Sequence, residues 1–174
     1  MYTHEFLSDV KISLELDSNK KFDSYYKNAF PNLKEIAIEE NLDLQKKGYD
    51  KIITLQNGKK IFVEEKVRYT KYKDILFEYI SNSKTGATGW CEKDIYADFI
   101  AYIFVDKKIE FHLFPAQNFL RVWKDNKKFW LEKYGYKIAR NVDYCSYFCC
   151  VPVMKVYHEI MLSFYIKGEE NEKG

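Results

Sequence analysis

The stretch that most constrains the fold is residues 48–66, GYDKIITLQNGKKIFVEEK. Its Asn57-Gly58 pair stands between two runs rich in Ile, Val, Thr and Phe. This pattern predicts a β-hairpin, because Asn and Gly accept the positive φ angles of a tight turn. The charged residues at the open end of the hairpin, away from the turn, are Asp50, Glu64, Glu65 and Lys66. The sequence therefore places three carboxylates and one ammonium group at the open end of an otherwise apolar hairpin.

Apolar spacing predicts further elements on both sides of this hairpin. Strands and helices are intermixed, which predicts an α/β fold with a central mixed sheet flanked by helices. We expect one domain over residues 1–166, followed by a disordered tail over 167–174. The predicted elements are a helix over 22–30 that Pro31 ends, a strand within 33–45, a helix over 70–81, a second hairpin over 97–115, a short helix over 116–123, a strand over 144–153 and a closing helix from Val153.

Composition narrows the class of protein. The 174 residues are 47% apolar and 31% charged, as in soluble globular proteins. The net charge of +2 excludes a histone-like basic protein but permits a local basic face. The polar, acidic N-terminus is unlike a signal peptide, and no apolar window is long enough for a membrane span. A cytoplasmic protein without a membrane partner is expected. Its four cysteines match no zinc-binding spacing, and the three in the predicted strand over 144–153, Cys145, Cys149 and Cys150, are predicted to be buried thiols.

The charged end of the hairpin suggests a metal site. Residues two apart in a strand share a face, so Glu64 and Lys66 point one way and Glu65 the other. With Asp50 from the neighbouring strand, two carboxylates can hold a divalent cation such as Mg²⁺ or Mn²⁺. A bound cation activates water and phosphoryl groups, and a nearby lysine can orient that water. The alternative is that these charges only solubilise the hairpin, with Glu64 paired across the strands to Lys51.

The metal hypothesis requires a particular loop length, because the loop sets which residues of the two strands pair. A two-residue turn would pair Asp50 with Glu65 and point Asp50 away from Glu64. A three-residue loop of Gln56-Asn57-Gly58, with Gly58 in the left-handed conformation, pairs Asp50 with Glu64 instead. A β-bulge near Gly48 or Asp50 would have the same effect. The metal hypothesis therefore predicts an irregular hairpin.

Asp50, a hairpin turn and Glu64-Glu65-Lys66 together resemble the motif of the PD-(D/E)xK nuclease superfamily. The predicted order of helix, hairpin, helix and further strand is similar to its restriction-endonuclease-like core. The stretches DLQKKGYDKIITLQNGKKIFVEEKVR, DILFEYISN and GWCEKDIYADFIAYIF resemble small phage and bacterial proteins grouped with these nucleases. Tyr49 stands where the name of the motif has proline. The Gln-xxx-Tyr pattern of some exonuclease branches is missing, which argues against the recombination-nuclease branch.

The resemblance implies a function and roles for the residues. Asp50 and Glu64 would be metal ligands, the Glu65 carbonyl a further ligand, and Lys66 the catalytic lysine. The implied activity is Mg²⁺-dependent hydrolysis of phosphodiester bonds in nucleic acid, with DNA the first expectation. Cutting both strands of a duplex needs two single-site chains, which favours a homodimer. The alternatives are a non-catalytic module that binds nucleic acid or protein on a nuclease-like fold, and an interaction protein with an aromatic partner surface.

Several other residues are candidates for supporting roles around this site. A further acid or hydrogen-bonding group of the metal site would come from the residues before the hairpin or from the predicted helix over 70–81. Basic residues after the hairpin would contact phosphates, although each also fits an ordinary solvated surface. Trp90 would stack on a base or anchor the core. The candidates for the additional acid or hydrogen-bonding group are Glu39, Glu40, Asp43, Gln45 and Glu78. The candidates for phosphate contacts are Arg68, Lys71 and Lys93.

Overall fold

The computed structural model describes residues 21–45 and 47–171. The N-terminal stretch that we predicted not to be a signal peptide lies outside these residues. In chain order the elements are α1 (Asp23–Ala29), β1 (Leu33–Ile38), α2 (Leu42–Gln45), β2 (Lys51–Leu55), β3 (Lys60–Tyr69), β4 (Asp74–Asn82), β5 (Ala87–Thr88), a 3-10 turn (Trp90–Glu92), β6 (Phe99–Val105), β7 (Ile109–Pro115), α3 (Ala116–Tyr134), β8 (Lys137–Arg140), β9 (Cys145–Pro152) and α4 (Val153–Asn171).

These elements form two compact units. The first unit contains residues 21–71 and 94–116, and the second contains 72–93 and 117–171. Each unit has its own β-sheet. The prediction of a mixed α/β fold is confirmed, with a mixed sheet of five strands, a second sheet of four strands and helices beside them.

The first unit is built on a five-stranded sheet in the order β1-β2-β3-β6-β7. β3 and β6 run parallel, and the other neighbours are antiparallel. Alternate residues of the central strands point to one face, where Tyr26 of α1 packs on Ile53, Val63 and Ala101. These side chains are all fully buried. Their burial fixes the register of β3 and therefore the face to which its charged residues point.

The β2–β3 hairpin has the three-residue loop that the metal hypothesis requires. The strands are in register with Lys51 opposite Val63, and the Leu55 N–H donates to the Lys59 carbonyl at 2.9 Å. Gln56, Asn57 and Gly58 therefore form the loop. Gly58 has φ +81°, the left-handed conformation, at a position where a side chain would meet nothing. This prediction is confirmed.

The second unit is an antiparallel sheet in the order β5-β4-β9-β8, covered by α3. Its core is aromatic: the Phe77 ring lies 4.8 Å from Trp123 and 5.5 Å from Trp130, centroid to centroid. The predicted helix over 70–81 is wrong, because this stretch is β4. Ile75 and Phe77 are fully buried and Leu76 between them is half-buried, so both faces of the strand are covered, and this packing overrides the helical spacing of its apolar residues.

The other predicted elements are confirmed, with changed ends. The helix over 22–30 is α1, the second hairpin is β6–β7, and the late strand and closing helix are β9 and α4. The short helix over 116–123 continues to Tyr134, and β8 was not predicted. Residues 167–174, the predicted tail, begin inside α4 and end outside the described residues. Of the three cysteines predicted to be buried, Cys149 is fully buried, whereas Cys145 and Cys150 are only half-buried; Cys91 is also fully buried.

Candidate active site

The backbone of the hairpin is irregular where Asp50 enters β2. Lys51 is the partner of Val63, and the Asp50 N–H also donates to the Val63 carbonyl, at 3.1 Å. Asp50 lies just before β2, and its N–H bonds to the carbonyl of the residue opposite Lys51, so the backbone leaves the regular pairing at this point. The Asp50 carboxylate turns towards β3, where Oδ2 accepts the Glu65 N–H at 2.7 Å. The Asp50 carboxylate is thus held beside the charged residues in the middle of β3.

Asp50 and Glu64 interact electrostatically. The pKa of Asp50 is raised from 3.8 to about 6, first by its burial and then by the negative charge of Glu64. Lys66 and the Glu65 N–H act in the opposite direction. A carboxyl group whose ionisation is disfavoured by a neighbouring negative charge, as that of Asp50 is, is stabilised by a proton or by a cation. The site therefore favours an added positive charge.

Glu64 is buried, with only 6% of its surface exposed. One of its oxygens, Oε1, forms an ion pair with the Lys66 ammonium, which lies on the same face of β3. The other oxygen, Oε2, is buried and has no hydrogen-bond partner. A buried carboxylate oxygen without a partner is costly unless a ligand occupies the position beside it. The Asp50 side chain lies within hydrogen-bonding reach of Glu64, so either a proton on Asp50 or a bound cation would satisfy this carboxylate.

Gly48 lies close to that oxygen. Its φ is +87°, and a Cβ there would lie 3.2 Å from Glu64 Oε2 and 2.5 Å from Ile95 Cγ2. A residue with a side chain would therefore displace Ile95 and crowd the carboxylate. The absence of a side chain at Gly48 therefore allows Ile95 and Glu64 to pack closely against this turn.

Glu65 belongs to the opposite face of the sheet. The Tyr26 hydroxyl donates to Glu65 Oε1 at 2.6 Å, and the Lys51 ammonium lies 3.8 Å from the same oxygen. Lys51 is only 2% exposed and also lies 5.7 Å from the centre of the Tyr26 ring. The alternative pairing of Lys51 with Glu64 is therefore wrong. Lys51 shares the alternation of the buried Ile53, and that pattern could have assigned it to the core face.

The oxygen atoms present at this site would supply part of the coordination shell of a divalent cation. The Asp50 and Glu64 carboxylates are oxygen ligands of the kind Mg²⁺ prefers. In a strand, the N–H and carbonyl of one residue lie on the same edge, so the Glu65 carbonyl lies on the edge where its N–H meets Asp50. Within residues 21–45 and 47–171, no group of three or more His, Cys, Asp or Glu side chains could hold a metal ion. The protein would thus supply two carboxylates and a backbone oxygen.

The upstream candidates are connected to the site through the backbone. The Glu39 N–H donates to the Asp50 carbonyl at 3.0 Å, and its carboxylate accepts the Asn41 N–H at 2.8 Å. The Gln45 side chain donates to the Glu39 carbonyl, so it holds this segment in place. Glu40 and Asp43 are exposed.

The remaining candidates are divided between the units. Arg68 follows Lys66 by two residues in β3 and lies on the same face, and Lys71 is exposed just after that strand. Glu78 lies on β4 of the second unit, where its carbonyl accepts the Cys91 thiol. Trp90 packs 6.1 Å from Phe77 and 6.1 Å from Phe119, centroid to centroid, which favours the core-anchor interpretation. Lys93, after the 3-10 turn, is exposed.

Comparison of the chain with protein-family models, with curated proteins and with solved structures finds no match in any of the three. In the part of the chain that the structure describes, no helix is long and apolar enough to cross a membrane.

Proposed function

We propose that this protein is a Mg²⁺-dependent nuclease that hydrolyses phosphodiester bonds, with DNA the first substrate to test. The observation that carries the proposal is the buried Glu64 Oε2, which has no hydrogen-bond partner. It belongs to a carboxylate whose charge helps to raise the pKa of Asp50. A divalent cation would satisfy both groups at once.

The position of each residue at the site suggests its role. Asp50, Glu64 and the Glu65 carbonyl would hold the cation. When bound, Mg²⁺ supplies Lewis-acid polarisation of a phosphoryl oxygen and a more acidic water. Lys66, on the same face as Glu64, would donate hydrogen bonds to the attacking water or to the negative charge that develops on the phosphate. Arg68, two residues further along that face, would hold a neighbouring phosphate.

The architecture of the first unit supports a restriction-endonuclease-like core. A helix and a hairpin precede a strand that pairs in parallel with the motif strand β3. The departure is the segment after the hairpin, which is strand β4 of the second unit. A single site per chain also makes a homodimer the expected form for cutting both strands of a duplex.

The test is a cleavage assay on plasmid and single-stranded DNA and on RNA, with Mg²⁺, with Mn²⁺ and with EDTA. We expect cation-dependent cleavage that Lys66→Ala reduces roughly 100-fold or more, because one donor to the transition state is lost. Lys60→Ala is the matched control, since Lys60 is an exposed lysine at the turn end of the same strand. It should cleave like the wild type.

Calorimetric titration with Mn²⁺ separates the nuclease from a non-catalytic module. The nuclease proposal expects binding by the wild type and by Lys66→Ala, and loss of binding in Asp50→Asn and Glu64→Gln. Absence of both cleavage and Mn²⁺ binding in the wild type would reject a metal-dependent nuclease and leave the binding module.

A further inference from the structure

Three tyrosine rings form a continuous row on the second unit. Tyr79 of β4 lies 6.4 Å from Tyr147 of β9, and Tyr147 lies 5.9 Å from Tyr136, between ring centroids. Tyr136, between α3 and β8, is 59% exposed, and the other two are half-buried. We call these three residues the tyrosine row. It presents aromatic surface to solvent at the edge of an otherwise buried aromatic core.

Apolar surface continues from the tyrosine row onto β8. Ile138 is the register partner of Tyr147, so the two side chains share a face of the sheet. Ile138 is 43% exposed, and all four residues of β8 are exposed. β8 is also the edge strand of its sheet. Among the residues that the structure describes, an apolar and aromatic strip is thus left exposed, which marks an interaction surface.

The rim of this strip is basic. The segment 133–140, KYGYKIAR, contains three cations and no acid. Arg140 lies on the same face as Ile138, two residues away. Lys137 is exposed, but its register partner is Phe148, so it points to the other face of β8, and the exposed Lys133 lies 5.4 Å from the centre of the Tyr134 ring. Lys127 lies over the Tyr79 ring at 5.4 Å, but Glu92, 2.9 Å away, balances its charge. A polyanion is therefore the complementary partner.

We propose that the tyrosine row and its basic rim bind single-stranded nucleic acid. Aromatic side chains stack on unpaired bases while cations follow the phosphates, and both are needed for such sites. A duplex is less suitable because its base faces are stacked on one another. A protein partner is also less suitable, because protein interfaces are enriched in Tyr and Arg but depleted in Lys, and most of these cations are Lys. The proposal does not rest on nuclease activity.

Fluorescence anisotropy of labelled oligothymidine and oligouridine, with a duplex of equal length, tests the proposal in EDTA, where the proposed Mg²⁺-dependent cleavage cannot occur. We expect Tyr136→Ala to weaken single-strand binding about 5- to 100-fold, the range for loss of one stacked base. Tyr136→Phe keeps the ring and should bind like the wild type. Tyr96→Ala removes a tyrosine of the first unit that is 62% exposed, and is the matched control. The two homopolymers separate DNA from RNA.

The salt dependence of the binding affinity tests the basic rim separately from the tyrosine row. Lys133→Ala combined with Arg140→Ala should lower the slope of log affinity against log salt by about 1.4, because each phosphate contact to a single strand contributes about 0.7. Circular dichroism establishes that each variant is folded. Equal binding by the wild type and by Tyr136→Ala, or an unchanged slope, would overturn the proposal. Tight binding of the duplex but not of single strands would also overturn it.

Discussion

Asp50 carries a cost in stability that a cation would relieve. Its pKa is about 6 in the folded protein, against an ordinary 3.8. The folded state therefore holds this proton more tightly than the unfolded chain does. As the pH rises from about 4 to about 6, the free energy of unfolding should fall, by roughly 3 kcal/mol at most. Above pH 6 the whole cost is present.

Asp50→Asn should therefore stabilise the protein at pH 8 and leave it unchanged at pH 4. The amide oxygen can still accept the Glu65 N–H, and the new NH₂ can donate to Glu64. We expect a gain of roughly 1–3 kcal/mol at pH 8 in EDTA, since the unfavourable ionisation is removed. Urea denaturation at both pH values measures the gain.

Asp125→Asn, at an exposed position on α3, is the control for a general effect of charge removal. It should change stability equally at both pH values. Mn²⁺ should raise the melting temperature of the wild type but not that of Asp50→Asn, because only the wild type keeps both carboxylates. A gain in Asp50→Asn that is the same at pH 4 and pH 8 would contradict the assigned pKa.

Lys51 is a buried charge on the opposite face of the sheet from the candidate site. Lys51→Met should cost roughly 3–5 kcal/mol, because it leaves the Glu65 carboxylate buried without its cation. The double variant Lys51→Met with Glu65→Gln should lose less, since the glutamine is neutral and still accepts from Tyr26. A double-mutant cycle in urea measures this coupling. If the two changes are simply additive, the buried pair is not an energetic unit.

At the scale of the hairpin, two glycines separate the cost of backbone strain from the cost of crowding. Gly48 and Gly58 both have positive φ, but a Cβ at Gly58 would meet open space. Gly58→Ala should cost about 1–2 kcal/mol from the left-handed conformation alone. Gly48→Ala should cost about 1–3 kcal/mol more, because Ile95 must move.

Mn²⁺ binding distinguishes the same two variants. Gly48→Ala should lose the stabilisation by Mn²⁺, because its new methyl group lies beside Glu64 Oε2, whereas Gly58→Ala should keep it. Thermal melting with and without Mn²⁺ measures both. Equal responses to Mn²⁺ would show that the space beside Gly48 is not part of a cation site.

The hairpin was predictable because its determinants are local. The Asn57-Gly58 pair and the alternation of apolar residues predict the hairpin, but they leave a two-residue turn and a three-residue loop open, and only the strand register decides between them. Strand β4 was not predictable in this way. Its Ile75 and Phe77 are buried, but Leu76 between them is half-buried, so tertiary packing decides its conformation. Strand β8 is exposed at every residue, and it has no buried face to produce a pattern.

The candidate site was predictable only as a set of residue types. Spacing placed Glu64 and Lys66 on one face, and the ion pair between them agrees with that. The partner of Glu65 was not predictable, because Tyr26 lies 39 residues away and reaches it through the packing of α1 on the sheet. Gln45 was assigned to the site by its position, but its side chain satisfies a backbone carbonyl.

At the scale of the whole molecule, neither unit is a continuous stretch of chain. Parallel pairing of β3 with β6 requires a long connection between their ends. Residues 72–93 of that connection belong to the second unit and supply β4 and β5. Each unit nevertheless has its own sheet and its own candidate ligand, a cation in the first and single-stranded nucleic acid in the second.

Hydrogen exchange on the intact chain should therefore separate the two ligands. Mn²⁺ should slow exchange in peptides that cover residues 48–66, where the Glu65 N–H is bonded to Asp50. Oligothymidine in EDTA should slow exchange over 133–150, which contains β8 and the tyrosine row residues Tyr136 and Tyr147. A ligand that binds only the folded state suppresses local opening most strongly where it binds.

Two variants make the exchange experiment decisive. Glu64→Gln should abolish the effect of Mn²⁺ and leave that of oligothymidine, whereas Tyr136→Ala should do the reverse. Oligothymidine protection confined to residues 48–66 would instead place nucleic acid at the first unit and reject the tyrosine row as its site. Protection by Mn²⁺ outside the hairpin, retained in Glu64→Gln, would reject the carboxylate site, because a cation held by Asp50 and Glu64 acts through those two side chains.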